Sequence, residues 1–168
     1  YPFACGPSAW KAVDLLADFL PLVRQKAAKV IYTTGDVRAI GLSGGTKLGR
    51  GKEMVSIEGG MDIVAEIAPQ EGDIVIAKPK ASAFFGTPLT SMLNALGVDT
   101  LLCCGTSTSG CVRASVIDAS SYNFRVAVIE ECTFDRAQVP HKVNLFDMNA
   151  KYADVISLEE ARRYLESL

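Results

Sequence analysis

Cys111 lies where the sequence changes from an apolar run to a segment with helical periodicity. The apolar run, residues 100–104, is closed by Gly105 and has the length of a buried strand. After a turn rich in glycine, serine and threonine, apolar residues recur every three or four positions: Val112, Val116 and Ala119. This spacing predicts that Cys111 lies in the first turn of a helix.

A thiol at the start of a helix is well placed for nucleophilic chemistry. Unpaired backbone N–H groups and the positive end of the helix dipole favour the thiolate, which is the nucleophilic form of cysteine. The same N–H groups can hold a carbonyl oxygen as it becomes an oxyanion. We therefore predict that Cys111 is a catalytic nucleophile; the alternative is a small buried residue with a packing role.

The rest of the chain alternates strands and helices. Apolar runs predict further strands at residues 29–34, 73–77, 125–131 and 154–156. Helices are predicted between them: one capped by Ser8, a short one at 61–67, one starting at Thr87–Pro88, one at 141–150, and a last one with a Ser157–Glu160 capping box. Residues 35–60 are predicted to be a long surface loop. This order indicates an α/β, Rossmann-like fold, an open parallel sheet with helices on both faces.

Two basic residues follow predicted strands, as the Cys111 turn does, so all three are expected at the edge where such sheets bind ligands. An ammonium group from Lys78 near Cys111 would stabilise a thiolate, whereas the alternative is a solvated lysine at a strand end. The guanidinium group of Arg136 can bind a substrate carboxylate through two hydrogen bonds. A structural ion pair with Asp135 or Glu131 is the alternative for Arg136.

Composition limits the possible functions. The chain has 168 residues, 49% of them apolar and 21% charged, which indicates one globular domain over residues 1–168. A net charge of −2 gives no reason to expect nucleic acid or an acidic membrane surface as a partner. No apolar run reaches about 18 residues and the five cysteines form no CxxC motif, so we expect a cytoplasmic protein with reduced thiols.

The sequence motifs give no indication of a bound metal ion or nucleotide cofactor. His141 is the single histidine, and zinc sites usually need several histidine or cysteine ligands at helical or CxxC spacing. His141 is therefore interpreted as a residue of helix initiation or packing. No glycine-rich nucleotide motif is present. We expect no metal and no cofactor.

Four ordered segments resemble one protein family. Residues 108–114, TSGCVRA, are similar to the nucleophile turn of the isochorismatase-like cysteine hydrolases, in particular their N-carbamoylsarcosine amidohydrolase branch. Residues 78–89 resemble the lysine segment of that branch, residues 134–136 its substrate-anchor segment, and residues 141–155 its late helix and last strand. The resemblance runs from about Trp10 to the end of the chain, and it implies the family's three-layer sandwich.

The resemblance also implies roles for individual residues. Cys111 would attack an amide or carbamoyl carbonyl while Lys78 stabilises the charge. The backbone N–H groups of Ser107 and Cys111 would hold the oxyanion, and the peptide bond between Thr106 and Ser107 would be cis. Arg136 and Thr108 would bind the substrate carboxylate, although the alternative for this threonine is that it stabilises the turn.

One departure from the family concerns the proton acceptor. In the family this group is an aspartate at the end of the first, central strand, whereas this sequence begins at Tyr1, past that strand. Asp14, Asp18 and Asp36 are poor substitutes by position. Our hypothesis is that the missing first strand is supplied by upstream sequence, by a separate chain or by a neighbouring subunit, since its absence would leave two unpaired sheet edges.

The function indicated is that of a cysteine amidohydrolase. It would cleave a linear C–N bond of a small carboxylate-bearing molecule and release ammonia, with N-carbamoylsarcosine as the nearest family substrate. A maleamate-type amidase is an alternative, and so is a non-catalytic member, because the aspartate is absent. A hydrolase of vinyl ethers is disfavoured by Cys111. The resemblance further implies a homo-oligomer, either a dimer or a tetramer. The expected binding partner is a small-molecule substrate.

Overall fold

The computed structural model describes residues 5–39 and 58–168, in which helices alternate with parallel strands. The predicted loop at residues 35–60 lies largely outside them. The elements are α1 Pro7–Gln25, β1 Ile31–Gly35, a 3-10 turn Ala65–Ile67, β2 Ile74–Lys78, α2 Leu89–Ala95, β3 Thr100–Thr106, a π-helical turn Thr108–Val112, α3 Arg113–Ser121, β4 Arg125–Phe134, α4 Gln138–Lys151, β5 Asp154–Ile156 and α5 Leu158–Glu166.

Strand pairing confirms a parallel α/β architecture. Within the described residues, β1 pairs with β2, and β4 lies between β3 and β5, so that five parallel strands form two sheets. The single open sheet expected from the apolar runs is therefore divided in this part of the chain. The division arises because neither β1 nor β3 has a second partner among these strands.

The core shows why helices cover both faces of the larger sheet. Adjacent residues of a strand point to opposite faces, and Val128 and Ile129 of β4 are both fully buried. Val128 belongs to a cluster with residues of α2, α3 and α4, namely Leu93, Val116 and Met148. Ile129 belongs to a second cluster with residues of α1 and α5, among them Phe19 and Ala161. Side chains of the apolar run in β4 therefore contribute to two hydrophobic clusters, one on each face of the sheet.

Several predicted boundaries need correction. The helix expected at 61–67 is only a 3-10 turn, and α4 begins at Gln138 rather than 141. Ser8 does not cap α1, because the helix already begins at Pro7; the Ser8 hydroxyl donates to the Cys5 carbonyl at 2.8 Å. The capping box of α5 is present as predicted, with Ser157 and Glu160 bonding each other's backbone N–H groups.

Candidate active site

The nucleophile turn connects β3 to α3 through an irregular backbone. Gly105 has a φ of 102°, a conformation that side chains rarely adopt, and the Thr106–Ser107 peptide bond is cis. The Gly110 and Val112 N–H groups both donate to the Ser107 carbonyl, at 2.9 and 3.2 Å. A Cβ at Gly110 would lie 2.9 Å from Ser107 Oγ, so a larger residue here would displace the serine hydroxyl.

Cys111 lies in the first turn of a helix, as the spacing predicts, and that turn is π-helical. The π-helical turn covers Thr108–Val112 and α3 follows at Arg113 without interruption. The Ser115 hydroxyl, one turn later, donates to the Cys111 carbonyl at 2.7 Å and accepts the Ala83 N–H at 2.9 Å. Ser115 thus fastens the nucleophile turn to the segment that follows Lys78.

Lys78 and Cys111 meet although 33 residues separate them. Lys78 is the last residue of β2, and its Nζ lies 3.3 Å from Cys111 Sγ. The ammonium group also donates to the carbonyls of Lys80, at 3.0 Å, and Ala81, at 2.9 Å. Three acceptors match its three N–H bonds. The ammonium group is thereby held against a partly buried thiol.

The neighbouring cysteines of the β-sheet have a different environment. Burial raises the pKa of the Cys103 thiol to about 12. A hydrogen bond to Cys132, together with burial, raises the pKa of Cys104. Both thiols therefore stay protonated at neutral pH and are poor nucleophiles. All five cysteines are free, as expected.

Asp135 is a buried carboxylate that connects the nucleophile turn to the end of β4. Its Oδ2 accepts the Ser109 N–H at 2.7 Å and its Oδ1 accepts the Arg136 N–H at 2.8 Å. Burial alone would raise the pKa of Asp135, but these hydrogen bonds and the Arg136 charge outweigh it, and the pKa is lowered. The residue is therefore an anionic acceptor at neutral pH.

Arg136 contacts Asp135 and remains half exposed. Its Nη1 lies 3.7 Å from Asp135 Oδ1, so the alternative ion pair foreseen from the sequence is present, while 46% of the arginine side chain is accessible to solvent. A 3.7 Å separation is longer than a hydrogen bond. The guanidinium group thus retains donors for another anion.

Thr108 contacts the helix that follows β4, and its predicted role in substrate binding stays a prediction. Its side chain is fully buried, and Oγ1 lies 2.8 Å from Nδ1 of His141 in α4. Burial and the Lys142 charge lower the pKa of His141, which is therefore neutral at pH 7. His141 is buried, as a packing residue would be, but it also hydrogen-bonds the first residue of the nucleophile turn.

Three residues of this site were missed as site residues by the sequence analysis: Ser115, Asp135 and His141. Asp135 follows a predicted strand at the same edge as Arg136, and that position was a usable signal. The contacts of Ser115 and His141 join segments that are far apart in the sequence. The spacing of apolar residues cannot predict such contacts. The oxyanion role of the Ser107 and Cys111 N–H groups stays a prediction.

In residues 5–39 and 58–168, no three histidine, cysteine, aspartate or glutamate side chains come together as a metal site requires. Every helix in that part of the chain falls short of the length and hydrophobicity needed to cross a bilayer.

Comparisons with known proteins agree with the geometry. Maleamate amidohydrolase of Pseudomonas putida is 39% identical, over 97% of this chain and 78% of its own. N-carbamoylsarcosine amidase of Arthrobacter sp. is 33% identical, over 100% of this chain and 66% of its own. The crystal structure of an isochorismatase family protein from Desulfovibrio vulgaris, 28% identical, superposes with a TM-score of 0.85 over 97% of this chain and 88% of that one.

A family-level match covers most of the sequence. Residues 6–160 match the isochorismatase domain, which includes all four segments that carried the resemblance. The predicted membership is thereby confirmed, together with the predicted fold class. The chain belongs to the isochorismatase family.

Proposed function

We propose that this protein is a cysteine amidohydrolase that cleaves a linear C–N bond of a small carboxylate-bearing substrate and releases ammonia. The observation that carries the proposal is the 3.3 Å contact between Lys78 Nζ and Cys111 Sγ at the carboxyl edge of the strands. Two relatives named for amide hydrolysis, a maleamate amidohydrolase and an N-carbamoylsarcosine amidase, support the choice of bond.

The reaction proceeds through a covalent intermediate. The Cys111 sulfur forms a bond to the amide or carbamoyl carbon, and the carbonyl electron pair moves to oxygen, where the N–H groups of Ser107 and Cys111 bind it. The C–N bond breaks as a proton from the thiol, carried by an acid–base group, reaches the leaving nitrogen, and ammonia departs. Water then attacks the acyl-enzyme, returning the thiol and the acid product.

The acid–base group is proposed to be a carboxylate on a further strand. Among the described residues, the hydrogen bond to Cys111 Sγ comes from Lys78, and no carboxylate makes one. The resemblance assigns this role to an aspartate that ends a central strand. The division of the strands into β1–β2 and β3–β4–β5 supports a strand between them, supplied by a longer form of the chain, by a separate chain or by a neighbouring subunit.

Ammonia release tests the proposal. We expect the protein to release ammonia from maleamate or from N-carbamoylsarcosine, because both carry a carboxylate for Arg136. The 39% identity to a maleamate amidohydrolase makes maleamate the first compound to assay. A folded sample, verified by circular dichroism, that releases ammonia from neither compound would favour the alternative of a non-catalytic member. The lack of a carboxylate at Cys111 in the described residues is the observation behind that alternative.

Replacing Arg136 by glutamine is expected to raise KM more than it lowers kcat. A charge-assisted hydrogen bond to the substrate carboxylate is lost, which corresponds to about a 10- to 100-fold decrease in kcat/KM. Steady-state kinetics with maleamate measure the effect. The matched control is methyl maleamate, whose ester has no carboxylate and should be hydrolysed equally by both proteins. Equal losses with both compounds would show that Arg136 does not bind the carboxylate.

A further inference from the structure

The Thr108–His141 pair joins the nucleophile turn to helix α4 inside the protein. Thr108 is the first residue of the π-helical turn and is 0% exposed, while His141 is 7% exposed. Thr108 Oγ1 and His141 Nδ1 lie 2.8 Å apart. A threonine this deeply buried, with its hydroxyl bonded to a protein group, is not in a position to meet a substrate carboxylate.

The chemistry of the pair is complementary. A neutral imidazole has one ring nitrogen that accepts and one that donates, while a hydroxyl group can do either. Burial and the Lys142 charge keep the imidazole neutral at pH 7. The imidazole therefore has a lone pair for the Thr108 O–H or a proton for its oxygen. If either partner is removed, the other remains buried without a hydrogen bond.

A second contact acts on the next residue of the turn. The Asp135 carboxylate accepts the Ser109 N–H at 2.7 Å. Asp135 follows β4 directly and His141 lies in the first turns of α4, so a single connection of the chain holds both Thr108 and Ser109. Cys111 lies only two residues beyond Ser109, which means that the position of its sulfur depends on how this end of the turn is held.

We propose that His141 is a positioning residue that, through Thr108, holds Cys111 Sγ at its 3.3 Å distance from Lys78 Nζ. Thr108 is accordingly part of the support of the nucleophile and not a ligand of the substrate carboxylate. The inference rests on the proposed function in that it takes Cys111 as the nucleophile. Its effect on the thiol is nevertheless measurable without any substrate.

Alkylation of Cys111 by iodoacetamide at pH 7 is the measurement, followed by mass spectrometry of the Cys111 peptide. The reagent is neutral, so Arg136 does not influence it. Thr108→Val and His141→Leu should each slow the reaction about tenfold, because loss of the buried hydrogen bond loosens the turn. The double variant should be no slower than either single variant. His141→Asn, whose amide oxygen replaces Nδ1, should recover most of the rate.

Thr133→Val is the matched control, which tests whether lower stability alone slows the alkylation of Cys111. Thr133 is also buried, and its hydroxyl donates to the Ile129 carbonyl at 2.9 Å. This variant should lower the unfolding temperature as Thr108→Val does, yet leave the Cys111 alkylation rate of the folded protein unchanged. If His141→Leu does not fold, Thr108→Val and His141→Asn still test the proposal.

Two results would overturn the inference. One is a normal alkylation rate in folded Thr108→Val and His141→Leu. The other is a raised KM for maleamate in Thr108→Val with an unchanged alkylation rate, which would make Thr108 a substrate ligand. Failure of the proposed function is distinguishable from both, because absence of amide hydrolysis in every variant, combined with the expected alkylation rates, would reject the amidase and support the positioning role.

Discussion

Replacing Cys111 by alanine is expected to abolish ammonia release from maleamate, with a loss in kcat of about four orders of magnitude or more. The reason is that the covalent route needs the sulfur, and in residues 5–39 and 58–168 it is the thiol that Lys78 contacts. The turn itself should persist, because Ser115 holds the Cys111 backbone carbonyl and not its side chain. Binding of substrate, measured by calorimetry, should therefore survive the substitution.

Two further variants test whether activity needs the thiol of Cys111 in particular or would be lost with any nearby thiol. Cys111→Ser keeps the shape of the side chain but supplies a hydroxyl that is hardly ionised at neutral pH, so it should stay nearly inactive. Cys5 is the matched control: it is partly buried and its Sγ lies 3.8 Å from Thr106 Oγ1, near the same edge, yet it has no role in the proposed chemistry. Cys5→Ala should keep most of the activity. Full activity in Cys111→Ala would instead indicate hydrolysis without a nucleophile.

The sheet was largely predictable from the sequence because buried parallel strands read as apolar runs. β4 shows both the success and its limit. The apolar run predicts a strand over residues 125–131, but the strand continues to Phe134 through two further uncharged residues. Pairing with β3 extends it, because Thr133 and Phe134 lie opposite Gly105 and Thr106. Local composition carries no information about that partner.

Two features of the site differ in how well the sequence predicts them. One is the contact between Lys78 and Cys111, and the other is the set of residues that support the nucleophile turn. The position of Lys78 beside Cys111 follows from strand order and from the family resemblance, because both residues come after strands that end at one edge. The motif left two interpretations of Thr108 open, a substrate ligand and a residue that stabilises the turn. Its contact with His141 could not be predicted, because that contact depends on the packing of α4.

Replacing Lys78 by methionine is expected to lower kcat/KM for maleamate by about two to three orders of magnitude. Methionine keeps the length of the side chain but removes the ammonium group that lies 3.3 Å from Cys111 Sγ. Iodoacetamide should alkylate Cys111 more slowly at pH 7, because the sulfur loses its contact with a cation. Lys80→Met is the control, because it removes a nearby positive charge and leaves the Lys80 carbonyl in place.

Lys78→Arg tests whether the geometry of the ammonium group matters in addition to its charge. Lys78 Nζ also donates to the carbonyls of Lys80 and Ala81, so methionine leaves two acceptors without their donor. An arginine restores both charge and donors, but its planar group cannot direct three N–H bonds toward three converging acceptors. It should therefore recover thermal stability more fully than it recovers activity. Equal recovery of both would mean that a positive charge with N–H donors suffices at this position whatever its geometry, and normal activity in Lys78→Met would remove Lys78 from the mechanism.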